Sequence, residues 1–132
     1  MQTTSLLKNN IFMLPIKIEV DISHEDKQRN FEKLRQISML GENWNGYGAE
    51  PFSPELIIKM CRVLNNLHIQ PEIFPTALGS IQLEYEKNNG NYLEIQVTEE
   101  DKCSVFELID NQVKNFNVSV TELNRLVDEF YE

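Results

Sequence analysis

Two periods divide the chain. From Ser23 to Leu67 apolar residues recur every three or four positions, and from Gly79 onward they alternate with polar ones. The first pattern is that of helices with one buried face, and the second that of half-buried strands. Phe31, Leu34, Ile37 and Leu40 mark the first helix, with Arg29, Glu32, Lys33 and Gln36 on its other face. Ser23 with Asp26 three residues on resembles a capping box, and Gly41 is placed to stop the helix in a left-handed cap. The second helix opens on Ser53-Pro54-Glu55, a capping hydroxyl, a ring suited to the first helical position and an acid for the positive end of the dipole. Ile57, Met60, Cys61, Leu64 and Leu67 form its apolar stripe. Beyond it, Pro71 and Pro75 hold Glu72 to Phe74 extended, an edge strand at most.

Ile81, Leu83 and Tyr85 then alternate with Gln82, Glu84 and Glu86, and Leu93, Ile95 and Val97 with Tyr92, Glu94 and Gln96. Both apolar sets carry odd numbers, so residues that face each other must be odd with odd. A three-residue loop, Asn88-Asn89-Gly90, with the glycine left-handed, meets that condition, and a two-residue loop does not. Tyr85 then pairs with Leu93, Leu83 with Ile95, Ile81 with Val97, and Glu84 with Glu94. Cys103 to Ile109 reads as a third strand with Phe106 and Leu108 inward and Glu107 outward. A four-residue loop over Glu99 to Lys102 sets Glu107 against Glu94. After Asp110-Asn111 a fourth strand, Val113 to Val118, offers Lys114 as an outward residue. Ser119 and Glu122 form a second capping box, and Leu123, Leu126, Val127 and Phe130 give a final helix.

The fold expected is α+β: two N-terminal helices and a C-terminal helix packed on one face of a four-stranded antiparallel meander. An arm of residues 1–22, with a short edge strand where Ile16, Ile18 and Val20 alternate, precedes a single domain of residues 23–132. The expected core is Phe31, Leu34, Ile37, Leu40, Ile57, Met60, Leu64, Ile81, Leu83, Ile95, Phe106, Leu126 and Phe130.

Between the two helices lies Glu42-Asn43-Trp44-Asn45-Gly46-Tyr47-Gly48-Ala49-Glu50-Pro51. Its glycines and asparagines allow positive φ, so the chain turns sharply and presents Trp44 and Tyr47. This loop, with the later Pro71-Glu-Ile-Phe-Pro-Thr and Gly79-Ser-Ile-Gln-Leu-Glu-Tyr, resembles a set of small bacterial proteins. They share a Trp-(Asp/Asn)-Gly-x-Gly-Ala-x-Pro loop, a helix and a Pro-Thr-x-x-Gly turn into a sheet. The resemblance covers about residues 41 to 97 and implies a recurring fold rather than an activity. The loop reads either as a binding site or as aromatics docked on the sheet, and docking is the simpler reading.

Composition narrows the chemistry. With 132 residues, 41% hydrophobic and 25% charged, the chain suits one globular domain. Its 21 acidic against 12 basic residues give a formal charge of −9. That field disfavours nucleic acid and anionic membrane and is compatible with a basic protein partner; keeping a small protein soluble is the simpler account of it. The apolar run from Ile11 to Ile18, broken by Pro15, is too short to span a membrane and has no small-residue cleavage site. Cys61 and Cys103 have no partner pattern and suit a reducing cytosol. His24 and His68 fall at helix ends and read as solvated, so no nucleophile, base and orienting group converge. No catalytic residue, metal ligand or cofactor motif emerges.

What remains is an outward row of Glu84, Glu94 and Glu107, a negative ridge with only Lys114 to compensate it. Like charges opposite each other destabilise a sheet, and arginine or lysine from a partner offsets that. The ridge, Trp44 and Tyr47 are the candidate partner-binding residues. The reading is a non-enzymatic acidic binding protein (inhibitor, antitoxin, immunity protein or chaperone) for a basic bacterial protein, in the cytoplasm. A small hydrolytic or metal-dependent enzyme using the glutamates or the tryptophan loop is the alternative. A homo-oligomer joined through an edge strand is a third class.

Overall fold

Apolar stripes and turn residues act locally before anything packs, and most elements begin and end where such signals stand. The computed structural model describes residues 24–132 and the backbone pairing of two short strands, β1 (Lys8–Asn10) and β2 (Glu19–Asp21). The strand expected at Ile16, Ile18 and Val20 lies outside the described residues except where it overlaps β2, and the Ser23 cap lies outside them too. The chain divides into two compact units, the first ending at Asn66 and the second running from Leu67 to Glu132.

In the first unit, α1 (Glu25–Ser38) buries Phe31, Leu34 and Ile37 along one stripe, with Glu25 and Asp26 in its first turn. His24 is the N-cap residue and makes no side-chain cap bond. At the other end Gly41 is not left-handed, contrary to expectation. The helix closes instead through tightened bonds, Met39 N–H to the Gln36 carbonyl at 3.1 Å and Leu40 N–H to that of Ile37 at 3.2 Å. Leu40 follows the last helical turn and is only half-buried, so it leaves the expected core. The second helix, α2 (Pro54–Asn66), begins as its sequence demands: the Ser53 hydroxyl accepts from the Leu56 N–H at 3.2 Å. Leu56, Ile57, Met60, Cys61, Val63 and Leu64 are all buried, a wider stripe than the spacing alone indicated. Lys27 Nζ donates to the Asn65 carbonyl at 2.8 Å, tying the start of α1 to the end of α2.

The second unit is a five-stranded antiparallel sheet in the order β3-β4-β5-β6-β7, with one helix. Its strands are β3 (Glu72–Pro75), β4 (Ile81–Glu86), β5 (Tyr92–Val97), β6 (Lys102–Ile109) and β7 (Gln112–Ser119). The α+β class holds, but the sheet has five strands rather than four, because the segment between Pro71 and Pro75 pairs with β4. Proline is tolerated there since β3 is an edge strand. The helices divide as well: α1 and α2 fall in the first unit, and only α3 (Leu123–Tyr131) belongs with the sheet.

The β4–β5 hairpin follows the parity argument. Ile81 pairs with Val97, Leu83 with Ile95, and Tyr85 with Leu93, around a loop in which Gly90 has φ of 91°. The next hairpin does not. The register joins Ile95 to Val105 and Glu94 to Phe106, one residue away from the expected pairing. Cys103 and Val105 are therefore the buried residues of β6, and Phe106 and Leu108 turn to the other face, half-exposed. Asp110 and Asn111, both at positive φ (51° and 66°), make the two-residue turn into β7.

One sheet face is apolar, with Ile73, Ile81, Leu83, Tyr85, Leu93, Ile95, Val97, Cys103 and Val105 all buried. The capping box at Ser119 forms, with the Ser119 N–H donating to Glu122 Oε1 at 3.2 Å, and leads through a single 3-10 turn, Val120–Glu122, into α3. Leu123, Val127 and Phe130 of α3 are buried, whereas Leu126 is half-buried and drops from the core. The Tyr131 ring meets Tyr85 edge-on at 6.0 Å, which places the end of α3 on the apolar face.

Candidate functional site

The other face of the sheet is where the glutamates gather. Residues directly opposite in an antiparallel pair point to the same side. Glu84 faces Glu94, and on the other flank it faces Glu72. The row is therefore Glu72, Glu84 and Glu94 across β3, β4 and β5, and it ends at Phe106. Glu107 is not in it. It sits opposite Leu93 and Lys114 and so points to the opposite side of the sheet. The expected compensation by Lys114 falls with it, since Lys114 shares the side of Glu107. Glu72 was missed because two flanking prolines argued against a paired strand.

Neutral donors bond to Glu84 and Glu94. Gln82 Nε2 donates to Glu84 Oε2, and Gln96 Nε2 donates both to Gln82 Oε1 and, at 3.3 Å, to Glu94 Oε2. The Tyr92 hydroxyl donates to Glu94 Oε1 at 2.9 Å. Ser80 Oγ donates to Gln96 Oε1 at 2.6 Å, and Thr76 Oγ1 lies 2.6 Å from Ser80 Oγ. Amides and a phenol thus soften the repulsion between Glu84 and Glu94 without neutralising their charge. Burial, then the bond to Glu94 and the charges of Glu94 and Glu84, push the Tyr92 phenol well above its ordinary range. Among the described strand positions of this face the one cation is Lys102, four residues along β6 from Phe106, or about 13 Å.

Beside the acids the same face turns apolar. Tyr92 pairs with Leu108, and Leu108 with Val113, which is 55% exposed. The Phe106 ring meets Tyr92 edge-on at 6.2 Å. Phe74, opposite Gln82 on β3, is 41% exposed.

The tryptophan loop belongs to the first unit, and its own side chains build it. Asn43 Oδ1 accepts from Gly48 N–H at 2.7 Å, and Asn45 Oδ1 accepts from Tyr47 and Ala49 N–H at 2.8 and 3.1 Å. Asn43, Gly46 and Gly48 adopt φ of 58°, 79° and 89°, values that asparagine and glycine tolerate best. Trp44 is half-buried; its Nε1–H donates to the Glu50 carbonyl at 2.9 Å and its ring lies 5.9 Å from that of Phe52. Trp44 anchors the loop. Tyr47 does not, being 92% exposed at the tip.

The remaining chemistry is sparse. Cys61 is buried, and desolvation pushes its thiol up to about 12, leaving no thiolate for reaction at neutral pH. His68 Nδ1 is 3.6 Å from Asp128 Oδ2, with both side chains largely exposed. Among the described residues no three His, Cys, Asp or Glu side chains are grouped to hold a metal ion, and no helix is long and apolar enough to cross a membrane. An open groove of about 460 Å³ is lined by Glu86, Lys87, Asn88, Asn89 and Tyr131. Its lysine is engaged structurally: Nζ donates to the Phe130 carbonyl at 3.3 Å and lies over that ring.

No protein family, curated protein or solved structure matches the chain.

Proposed function

We propose that the chain is a non-enzymatic binding protein that holds a basic protein on the polar face of its sheet. The observation that carries this reading is the direct opposition of Glu84 and Glu94 on adjacent strands, bonded to glutamine and tyrosine side chains, with Glu72 in register on the other flank of Glu84. Such a row works against pairing of the strands, and a partner's arginines and lysines offset that cost. The net charge of −9 extends the same attraction over the whole molecule and speeds encounter with a basic surface. Inhibitor, antitoxin, immunity protein and chaperone all fit this chemistry. The likeness of the tryptophan loop to that of small bacterial proteins supports a bacterial setting, and two cysteines that form no disulfide support a cytoplasmic one. Tyr47, at the tip of a self-bonded loop that already orders its backbone, is a second recognition element.

The enzyme reading has less to stand on. Glu107 leaves the row, and Glu84 and Glu94 already accept bonds from glutamine and tyrosine. Purification of the tagged, intact chain from its host tests the proposal. A basic protein should copurify in defined ratio and be lost from a Glu84→Gln/Glu94→Gln variant. Copurification of an acidic protein, or equal recovery by that variant, would contradict it.

A further inference from the structure

The polar face is two surfaces joined side by side, and the joint specifies what docks there. Over β4 and β5 stand Glu84 and Glu94; over β5 to β7 stand Tyr92, Phe106, Leu108 and Val113. The apolar side chains are contiguous: Leu108 lies between Tyr92 and Val113 in the cross-strand register, and Phe106 touches Tyr92 ring to ring at 6.2 Å. Val113 is 55% exposed, while the others are half-buried. Nothing in strand pairing requires four apolar groups to point away from the buried face.

From these positions we infer that the docked element is a basic amphipathic segment of another protein. Its apolar side chains seat on Phe106, Leu108 and Val113, and its arginine or lysine side chains reach Glu84 and Glu94. Charge complementarity selects this occupant: the acids adjoin the apolar strip on the same face, and the chain carries a net charge of −9. Glu94 stands one strand spacing from Phe106, roughly 5 Å, and Glu84 two spacings, roughly 10 Å. The cations of the segment must therefore be offset from the anchor on Phe106 by about 5–10 Å. A purely basic, unstructured polyion would use the acids and leave the strip uncovered. The halves also divide the kinetics. Desolvated apolar anchors govern dissociation, and charges near a rim govern association.

This inference rests on the acidic-face reading, and one experiment separates the two. A random peptide display library is panned on the intact chain, and the enriched peptides are assayed against three variants: Val113→Ser, Leu108→Ser and Glu84→Gln/Glu94→Gln. Thermal melts check that each is folded, and the high exposure of Val113 makes the first the safest. The enriched peptides should carry Leu, Ile or Phe together with Arg or Lys. Val113→Ser and Leu108→Ser should weaken them by about tenfold, the change that ~1.4 kcal/mol produces, mainly through faster dissociation. The double glutamine variant should slow association and flatten its salt dependence. Enriched peptides that are basic, lack apolar residues and ignore Val113→Ser would overturn the amphipathic occupant and leave the acidic face standing. Peptides that also ignore the double glutamine variant, or no enrichment at all, would overturn both.

Discussion

Glu84 faces Glu94 on one side of the sheet, and Glu107 faces Lys114 on the other. The two pairs share one geometry, adjacent antiparallel strands with side chains directly opposite, but their electrostatics have opposite sign. Cross-strand neighbours of opposite charge contribute roughly 0.2–1 kcal/mol to a sheet, and like charges oppose it. On the side of Glu107 the pairing serves folding. On the side of Glu84 it works against folding and is only softened by Gln82, Gln96 and Tyr92. A like-charge pair retained on adjacent strands suits a surface that meets opposite charge from outside.

The contrast breaks first if the two faces have been assigned to the wrong residues. Leu83 and Ile95 are fully buried and alternate with Glu84 and Glu94. Leu83→Ala and Ile95→Ala should each cost about 2–5 kcal/mol in denaturant unfolding. Stability like that of the wild type would remove the distinction between the faces. Anchor and display are likewise separated within the tryptophan loop. Trp44→Ala should cost about 2 kcal/mol, less than a fully buried ring because Trp44 is half-buried. Tyr47→Ala, at the exposed tip, should stay within about 0.5 kcal/mol. Equal effects in the two variants would erase that division.

Alkaline titration probes the polar face itself. Burial and the neighbouring carboxylates raise the Tyr92 phenol, and burial raises those of Tyr85 and Tyr131. For a group raised in the folded state, the stabilisation is complete below the unfolded value, near pH 10, and is lost as pH climbs toward the folded one. Stability should therefore fall above about pH 10. In Glu84→Gln/Glu94→Gln the Tyr92 transition, followed by absorbance against a Tyr92→Phe control, should move downward. An unmoved transition would detach Tyr92 from the acids.

Smaller effects sharpen the pair comparison. Lys114→Glu recreates beside Glu107 the opposition that exists at Glu84, and should destabilise by about 0.2–1 kcal/mol. Glu84→Gln/Glu94→Gln removes that opposition, so stability should hold or rise by a few tenths of a kcal/mol, roughly the low end of the same range. A marked loss would mean that the carboxylates are needed by the ladder of side-chain bonds as acceptors more than they repel each other.

How far the sequence announced this surface differs from strand to strand. Glu84 opposite Glu94 was legible because both strands alternate cleanly and Gly90 supplies the one left-handed residue that a three-residue loop needs. The next register was not. Thr98-Glu-Glu-Asp-Lys102 contains no glycine or asparagine to set the loop length. In β6 both parities carry apolar residues, Val105 and Ile109 on one and Phe106 and Leu108 on the other, so the pattern does not choose a face. The choice is made by tertiary packing, which buries Cys103 and Val105. Glu72 was hidden because prolines at both flanks disfavour a central strand but permit an edge one. The loop shows the same limit. Its turn residues announced sharp backbone bends, but not that Trp44 would fold inward onto Phe52 while Tyr47 stayed out.

The central claim is that the carboxylates of the polar face attract a basic partner. The most direct test is the association rate of the copurified partner, measured by stopped flow from low to high salt for the wild type and for Glu84→Gln/Glu94→Gln. Screening shortens the field to about 8–10 Å near physiological ionic strength. The wild-type rate should therefore fall steeply with salt, and the double variant should start slower and fall less. Coincident salt curves for the two proteins would contradict the claim.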